Sequence, residues 1–370
     1  PLIKDRKNSI SQFYPYIPKN SLKVLKKVFA GRWVGQGPLV DKVEKIFSTK
    51  FASGMPSVAV GSGTDALHLA YILSGIKKDD EVIISTHTMI ATASAIFANG
   101  AIPVPVECGT DHLIDPESIK KVINSKTKCI MPTQLNGRTA NMAEICRIAE
   151  ENELIIIEDS AQALGSKYKG KNAGTFGLGG CISLYPAKTL GCFGDGGIVL
   201  TNDEDIYHKI KLMRDHGRGE DGNVSVWGFN SRLDNLQAAI LNFFFQSYDK
   251  TIDRRRNIAD LYHRELNDIG ELSLPPATNS DNNYFDIYQN YEIEIEKRDK
   301  LKNYLADKGV GTLIQWGGKA VHEFRDLGFN QSLPFTEKIM RNSLMLPLNM
   351  TVTDDEVKYI CKCVRSFCND

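Results

Sequence analysis

The sequence lacks any uninterrupted run of eighteen apolar residues and any leader-like stretch, so neither membrane insertion nor secretion is expected and a cytoplasmic setting is. It lacks an excess of charge of either sign. Its 45 Lys+Arg balance 45 Asp+Glu, so no basic surface argues for nucleic acid. Its eight cysteines lack a pattern: Cys108, Cys129, Cys146, Cys181 and Cys192 are scattered through apparent strands and helices, which suits reduced thiols better than a disulfide framework. Cys361, Cys363 and Cys368 lie closer together, but without paired C-x-x-C spacing or a histidine close by, so no metal is assigned. No period of twenty to fifty residues repeats and no low-complexity segment occurs, which excludes solenoids and arrays. A dinucleotide fingerprint is also missing. Gly61-Ser-Gly63-Thr-Asp-Ala66 follows an apolar run but lacks the third glycine of G-x-G-x-x-G, which argues against a Rossmann oxidoreductase.

What is present is a chain of 370 residues, enough to bury a large core and to build one big domain with a smaller one. Between 57 and 202, short apolar runs at 82–85, 102–106, 129–132, 154–158, 181–185 and 198–200 alternate with helical periodicity. That alternation predicts an α/β fold, a mostly parallel sheet with helices on both faces. Residues 1–20, with Pro15 and Pro18, read as an arm. Two amphipathic helices follow, one carrying Leu22, Leu25, Val28 and Phe29, the other Val40, Val43, Ile46 and Phe47, separated at Gly35-Gln-Gly-Pro38. Beyond Asp203 the pattern is helical to about Leu266. A polar crossing at 275–283 then leads to a strand at 284–295, a helix, a strand at 311–316 and a last helix at 354–367. The expected organisation is an arm (1–20), a large domain (21–250) and a small α+β domain (251–370).

Three strand ends carry chemistry. In Ser183-Leu-Tyr-Pro-Ala-Lys188-Thr-Leu-Gly-Cys-Phe-Gly-Asp-Gly-Gly197, Pro186 stops an apolar run and Lys188 heads a glycine-rich turn. A lysine shielded by apolar neighbours has its amine pKa lowered and can attack a carbonyl to give a Schiff base; a solvated turn lysine is the plainer alternative. In Leu154-Ile-Ile-Ile-Glu-Asp159-Ser-Ala-Gln162, Asp159 ends a buried strand, where a dry carboxylate wants a cation such as a pyridinium, or else caps a following helix. In Val60-Gly-Ser-Gly63-Thr64-Asp65, a small-residue turn opens a helix whose free N–H groups and the Thr64 hydroxyl can hold phosphate. That signal is weak by itself. The three in chain order are much stronger together.

The stretches GSGTDALHLA, IIIEDSAQALGSKYKGKNAGTFG, SLYPAKTLGCFGDGGIVLTND, LMRDHG and WGFNSRLDNLQAAIL resemble the DegT/DnrJ/EryC1/StrS sugar aminotransferases, over nearly the whole chain from about Trp33. The resemblance implies a fold-type I enzyme that uses pyridoxal 5'-phosphate, with pyridoxamine 5'-phosphate as its intermediate form. It would carry an amino group from an amino acid, usually glutamate, to a nucleotide-linked keto-sugar. On it, Lys188 forms the Schiff base and shuttles the proton between Cα and C4′. Asp159 pairs with the ring nitrogen, Gln162 lies near the ring oxygen or face, and Ser183 with Gly63 and Thr64 holds the phosphate. A strand hydroxyl bonded to backbone is the other reading of Ser183. Asn230 matches an asparagine that reaches the phosphate of the neighbouring subunit, which implies a homodimer with shared sites.

Two stretches depart from the family pattern. Met89 stands where an aromatic residue commonly stacks on the ring, and a thioether covers a ring face with less defined geometry. Gln315-Trp316-Gly-Gly-Lys-Ala-Val-His322 replaces a Tyr-Pro-containing stretch that shapes the substrate side, so sugar or nucleotide preference is expected to differ. Trp316 and His322 are the candidate substrate contacts there, with a core or capping role as the other reading of His322. Phe193-Gly-Asp195-Gly-Gly197 and Gly63-Thr-Asp65-Ala-Leu look more like the branch acting on 3-keto sugars than the 4-keto branch. Tyr185 would face the hexose, with core packing as the alternative. A pyridoxal-phosphate-binding dimer that regulates without turnover is the competing class, and the presence of lysine, aspartate and cradle together argues against it.

Overall fold

The computed structural model describes residues 9–369. Twelve strands are present among them: β1 (Ser57–Val60), β2 (Glu81–Ser85), β3 (Ile102–Val106), β4 (Thr127–Met131), β5 (Ile155–Asp159), β6 (Lys167–Tyr168), β7 (Lys171–Asn172), β8 (Gly179–Ser183), β9 (Gly197–Thr201), β10 (Tyr284–Phe285), β11 (Tyr291–Glu294) and β12 (Ser343–Leu346). Seven of them form one sheet in the order β1-β9-β8-β5-β4-β2-β3. Pairings β2·β3, β2·β4, β4·β5 and β5·β8 are parallel, and only β9 runs against its neighbours. Alternation along each strand explains why the sheet is covered on both sides. Val58, Val60, Val82, Ile84 and Val199 enter one core, while Ala59, Ile83, Ile198 and Leu200 enter the cores on the opposite face.

The first helices, α1 (Ser21–Phe29) and α2 (Pro38–Ile46), fall where their apolar stripes place them, with Pro38 in the first turn of α2. Two more, α3 (Gly63–Leu73) and α4 (Ile90–Ala98), follow β1 and β2 and pack on the sheet. Residues 214–234 are not helical, contrary to expectation. His216, Gly217 and Gly222 adopt left-handed backbone, and Gly217 packs so close to the Val226 carbonyl that a Cβ would sit 1.7 Å from its oxygen.

The C-terminal part has its own apolar core, in which β11 pairs antiparallel with β12. The single strand expected over 284–295 is broken at Tyr288, whose φ of 49° is left-handed, so β10 joins β6 instead of β11. The strand expected at 311–316 is reduced to one bridge, Leu313 to Met345, because Trp316, Gly317 and Gly318 turn left-handed. The partner of β11 is 343–346, an apolar run directly after the helix Pro334–Asn342. The helix Tyr248–Leu266, which starts just before the expected boundary at 250/251, gives Tyr248 and Ile252 to a large-sheet core and Ile258, Leu261, Tyr262 and Leu266 to the C-terminal one. Of the expected arm, residues 1–8 lie outside the described residues; Ile10 bridges to Val310 and Tyr16 lies against Phe244. No helix among the described residues is long and apolar enough to cross a membrane.

Candidate active site

Because β9 alone is reversed, the carboxyl ends of β1, β2, β4, β5 and β8 lie at one edge of the sheet, where open α/β sheets bind ligands. The segments that follow them supply the site.

Asp159 ends β5 and is 3% exposed. Its Oδ2 accepts from Thr92 Oγ1 at 2.7 Å and its Oδ1 from the Ala161 N–H at 3.1 Å. Behind Thr92 stand Thr88 at 2.9 Å and Thr133, which donates to Thr88 at 2.9 Å. Because Thr92 gives its proton to the carboxylate, it accepts from Thr88, and all three hydroxyls align toward Asp159. Burial pushes the Asp159 carboxyl upward, and the Thr92 hydroxyl, the Ala161 amide and the charge of Lys188 pull it back. Asp159 has no ion-pair partner among the described residues. A buried carboxylate of this kind fits a cationic ring nitrogen.

Lys188 lies five residues past β8, in a turn closed by its N–H donating to the Tyr185 carbonyl at 2.9 Å. Burial lowers its amine from 10.5 to about 8, against an upward pull from Asp159. The amine and the carboxylate therefore feel each other across the site. Gln289 holds the turn on both sides of the lysine, donating to the Ala187 carbonyl at 2.8 Å and accepting the Thr189 N–H at 2.7 Å.

The cradle forms where α3 begins. Ser62 caps the helix by accepting the Asp65 N–H at 3.0 Å, which leaves the amides of Gly63 and Thr64 for an anion. Ser183, the last residue of β8, is packed against this turn, and a Cβ on Gly63 would lie 2.7 Å from its Cβ. Gly197, paired with Ser183, is as tightly held: a Cβ there would meet the Ser62 carbonyl oxygen at 2.2 Å. Asp65 accepts from Ser231 Oγ at 2.8 Å, which anchors the chain next to Asn230 beneath the cradle. Cation-seeking carboxylate, nucleophilic amine and anion-seeking amides along one sheet edge fit the ring nitrogen, aldehyde and phosphate of pyridoxal phosphate.

Gln162 accepts at Oε1 from the Asn136 N–H at 2.9 Å and from Asn290 Nδ2 at 3.3 Å, so its own NH2 is left as a donor to the site. Met89 is 49% exposed and immediately precedes α4. Tyr185 is 52% exposed at the Lys188 turn. Trp316 turns its ring edge-on to His87 at 5.5 Å between centroids. Asn230 is exposed in a surface cleft with Trp33, Asp215, Arg218 and Arg232, outside the group formed by Lys188, Asp159 and Gly63 of its own chain. His322 is the exception among the candidates: it is fully buried, with Nδ1 at 2.8 Å from Thr86 Oγ1 and Nε2 at 3.1 Å from Glu337. Enclosed on both nitrogens, it braces the turn after β2 from behind and is not available to a substrate.

Three contributors were not singled out from the sequence, Thr92, Gln289 and Asn136, nor were His87 and His112, which lie buried behind them. For Thr92 a signal existed, since Thr88 and Thr92 are spaced i, i+4 at a helix start and share one face. His112 Nδ1 lies 3.0 Å from Glu292 and its Nε2 3.1 Å from Glu294, and the two glutamates raise its imidazole to about 10 against burial. Burial lowers His87 to about 4. The charge of His87 and the contacts of His112 hold Glu292 low, at about 2, against burial.

The model of the DegT/DnrJ/EryC1/StrS aminotransferase family matches residues 15–365. Over 364 residues the chain is 34% identical to a pleiotropic regulatory protein of Geobacillus stearothermophilus, covering 97% of each. Over 350 residues it is 33% identical to the dTDP-3-amino-3,4,6-trideoxy-alpha-D-glucose transaminase of Streptomyces venezuelae, covering 91% of this chain and 89% of that one. The crystal structure of S. venezuelae DesV in complex with a ketimine intermediate superposes with a TM-score of 0.90 at 31% identity over 95% of both chains.

Proposed function

The chain belongs to the DegT/DnrJ/EryC1/StrS aminotransferase family, and from that premise we propose that it transfers an amino group from glutamate to C3 of a keto-deoxyhexose linked to a nucleotide. It has the fold of the type I pyridoxal-phosphate transferases. Pyridoxal phosphate, when bound, supplies an electron sink for the carbanion left when the donor loses its α-proton. What the chain supplies is binding, orientation and proton handling. The Gly63 and Thr64 amides and the Ser183 hydroxyl would hold the phosphate, and Asp159, which accepts the Thr92 hydroxyl, would pair with the ring nitrogen. Lys188 carries the nucleophilic amine and, once freed, moves the proton between the reacting carbons. Gln162 offers its NH2 to the ring oxygen, and Met89 covers a ring face. Tyr185 and Trp316 border the space left for the sugar.

The observation that supports this reading is a buried aspartate ending β5 and a desolvated lysine following its neighbour β8, whose last residue packs on a helix start too tight for any residue but glycine at 63. We propose further that the protein is a homodimer in which Asn230 reaches the phosphate of the partner's site. The test is incubation with UDP-, dTDP- and GDP-linked 3-keto and 4-keto hexoses plus glutamate, reading product mass and the position of the new amine by NMR. Amination at C4 alone would move the chain to the 4-keto reading. Binding without turnover of any substrate would favour a regulatory role, the reading that the name of the Geobacillus relative keeps open.

A further inference from the structure

Behind Gln162 lies a buried cluster that the transfer reaction does not use. We propose that His87, His112 and Glu292 form a divalent-cation site, best matched to zinc, that ties β11 to the ligand-binding edge of the large sheet.

The three residues come from separate places. His87 follows β2, His112 sits in the left-handed turn after β3 at φ 66°, and Glu292 lies in β11. They are 0%, 8% and 3% exposed. One ligand atom from each lies within 4.8 Å of the others. Glu292 Oε2 is 3.0 Å from His112 Nδ1 and 3.7 Å from His87 Nε2, on either side of the roughly 3.4 Å that separates two donors of a tetrahedral ion with bonds of about 2.0–2.2 Å.

Hydrogen bonds alone leave this cluster incomplete. Both ring nitrogens of His87 and Oε1 of Glu292 are buried without a partner among the described residues. The His87 to Glu292 separation of 3.7 Å is beyond a hydrogen bond. A cation between them takes a lone pair from each, which a proton already shared by His112 does not do. The surroundings match those of a metal centre. Glu294 accepts from the far nitrogen of His112 at 3.1 Å, and Asn136 Nδ2 donates to Glu292 Oε2 at 2.8 Å, so one imidazole and the carboxylate are oriented by outer partners. On binding, the ion replaces the proton on His112 Nδ1, which leaves to solvent, while Nε2–H stays on Glu294. Two imidazoles with one carboxylate is a zinc donor set. It is too nitrogen-rich for magnesium or calcium and lacks the thiolates that select copper(I).

The test uses the full-length holoenzyme, purified without chelator. Elemental analysis is expected to find about one zinc per chain. The stripped protein should take up Co2+ with visible absorption typical of four-coordinate sites, and adding zinc should raise its thermal midpoint. His87→Asn and, independently, Glu292→Gln should each cut the bound metal at least tenfold and abolish that rise, so misfolding of either variant leaves the other to decide. Zinc below about a tenth of an equivalent with no Co2+ spectrum overturns the site and leaves His112 as a protonated bridge between two glutamates. Metal retained in full by both folded variants overturns it as well. These readouts are independent of turnover, so the aminotransferase reading stands or fails separately.

Discussion

Gln289 grips the backbone on both sides of Lys188, with its amide nitrogen on the Ala187 carbonyl and its amide oxygen on the Thr189 N–H, at 2.8 and 2.7 Å. A residue just ahead of β11 thereby fixes the turn that carries Lys188, and is itself 7% exposed. Gln289→Ala leaves two backbone groups unpaired and the turn free to shift. A misplaced nucleophile costs up to about 10²-fold in rate, so kcat should fall by ten- to a hundredfold with cofactor still bound. Gln289→Glu keeps the acceptor but loses the donor and should fall in between. Steady-state kinetics on cofactor-saturated protein distinguishes these cases, and unchanged kcat in both variants would remove Gln289 from the positioning role.

Thr92→Val tests the hydroxyl chain on Asp159. A hydrogen bond to a charged group contributes about 1.5–3 kcal/mol, so losing it should lower kcat by ten- to a hundredfold. The effect should be smaller than that of Asp159→Asn, for which about 10³-fold is expected from loss of a preorganised charge. Equal losses in the two variants would mean that Thr92 acts on something other than the carboxylate.

Gly63 and Ser183 are coupled by contact. Gly63→Ala places a methyl 2.7 Å from the Ser183 Cβ, closer than carbon atoms approach, so the cradle must open and cofactor affinity must drop. Ser183→Gly removes that Cβ along with the hydroxyl proposed to hold the phosphate. The double variant Gly63→Ala/Ser183→Gly should bind cofactor better than the product of the two single losses, measured by equilibrium titration. Strictly additive losses would show that the two residues do not touch.

How much of this was legible in the sequence depends on locality. Lys188, Asp159 and Gly63 each announce themselves within a dozen residues, as a strand end followed by a turn of small or polar residues, and the common direction of β1, β5 and β8 does the rest. Gln289, Asn136 and His112 gave no such signal, because each reaches its partner from a turn distant in sequence. The misassigned strand at 311–316 is a case of the same kind. Its apolar pattern was real, but left-handed Trp316, Gly317 and Gly318 end it after one bridge, and pairing with β11 went to 343–346. His322 had two readings, substrate contact or core, and packing between Thr86 and Glu337 favours the second.

The Lys188 amine sets a pH dependence whose sign follows from its shift. Attack on an aldehyde needs the neutral amine, and burial lowers the pKa from 10.5 to about 8. At pH 7 about a tenth of the protein is then reactive, against about one part in three thousand for an ordinary lysine. The rate of covalent cofactor uptake by apoprotein should therefore rise with pH through a midpoint near 8, followed by absorbance and by borohydride fixation on Lys188. The same shift makes this group's contribution to apoprotein stability rise with pH between about 8 and 10.5, where the unfolded chain still holds a proton that the folded one has released. A midpoint near 10.5 would place the amine in water.

Asn230 and Lys188 allow a direct test of shared sites. Asn230 is exposed and lies outside its own chain's cradle, yet Ser231 ties the adjoining backbone to Asp65 at 2.8 Å, so its position is fixed and not adrift. Lys188→Ala has no nucleophile, and Asn230→Ala is expected to bind phosphate weakly. If Asn230 serves the partner, a hybrid dimer of the two variants contains one site with both residues intact and one with neither. Random mixing makes half the dimers hybrid, each with one working site of two, so co-refolded variants should recover about a quarter of wild-type activity. If Asn230 serves its own chain, every site lacks one residue and the mixture stays at the mean of its parents. Full activity of Asn230→Ala by itself would take the residue out of the phosphate site altogether.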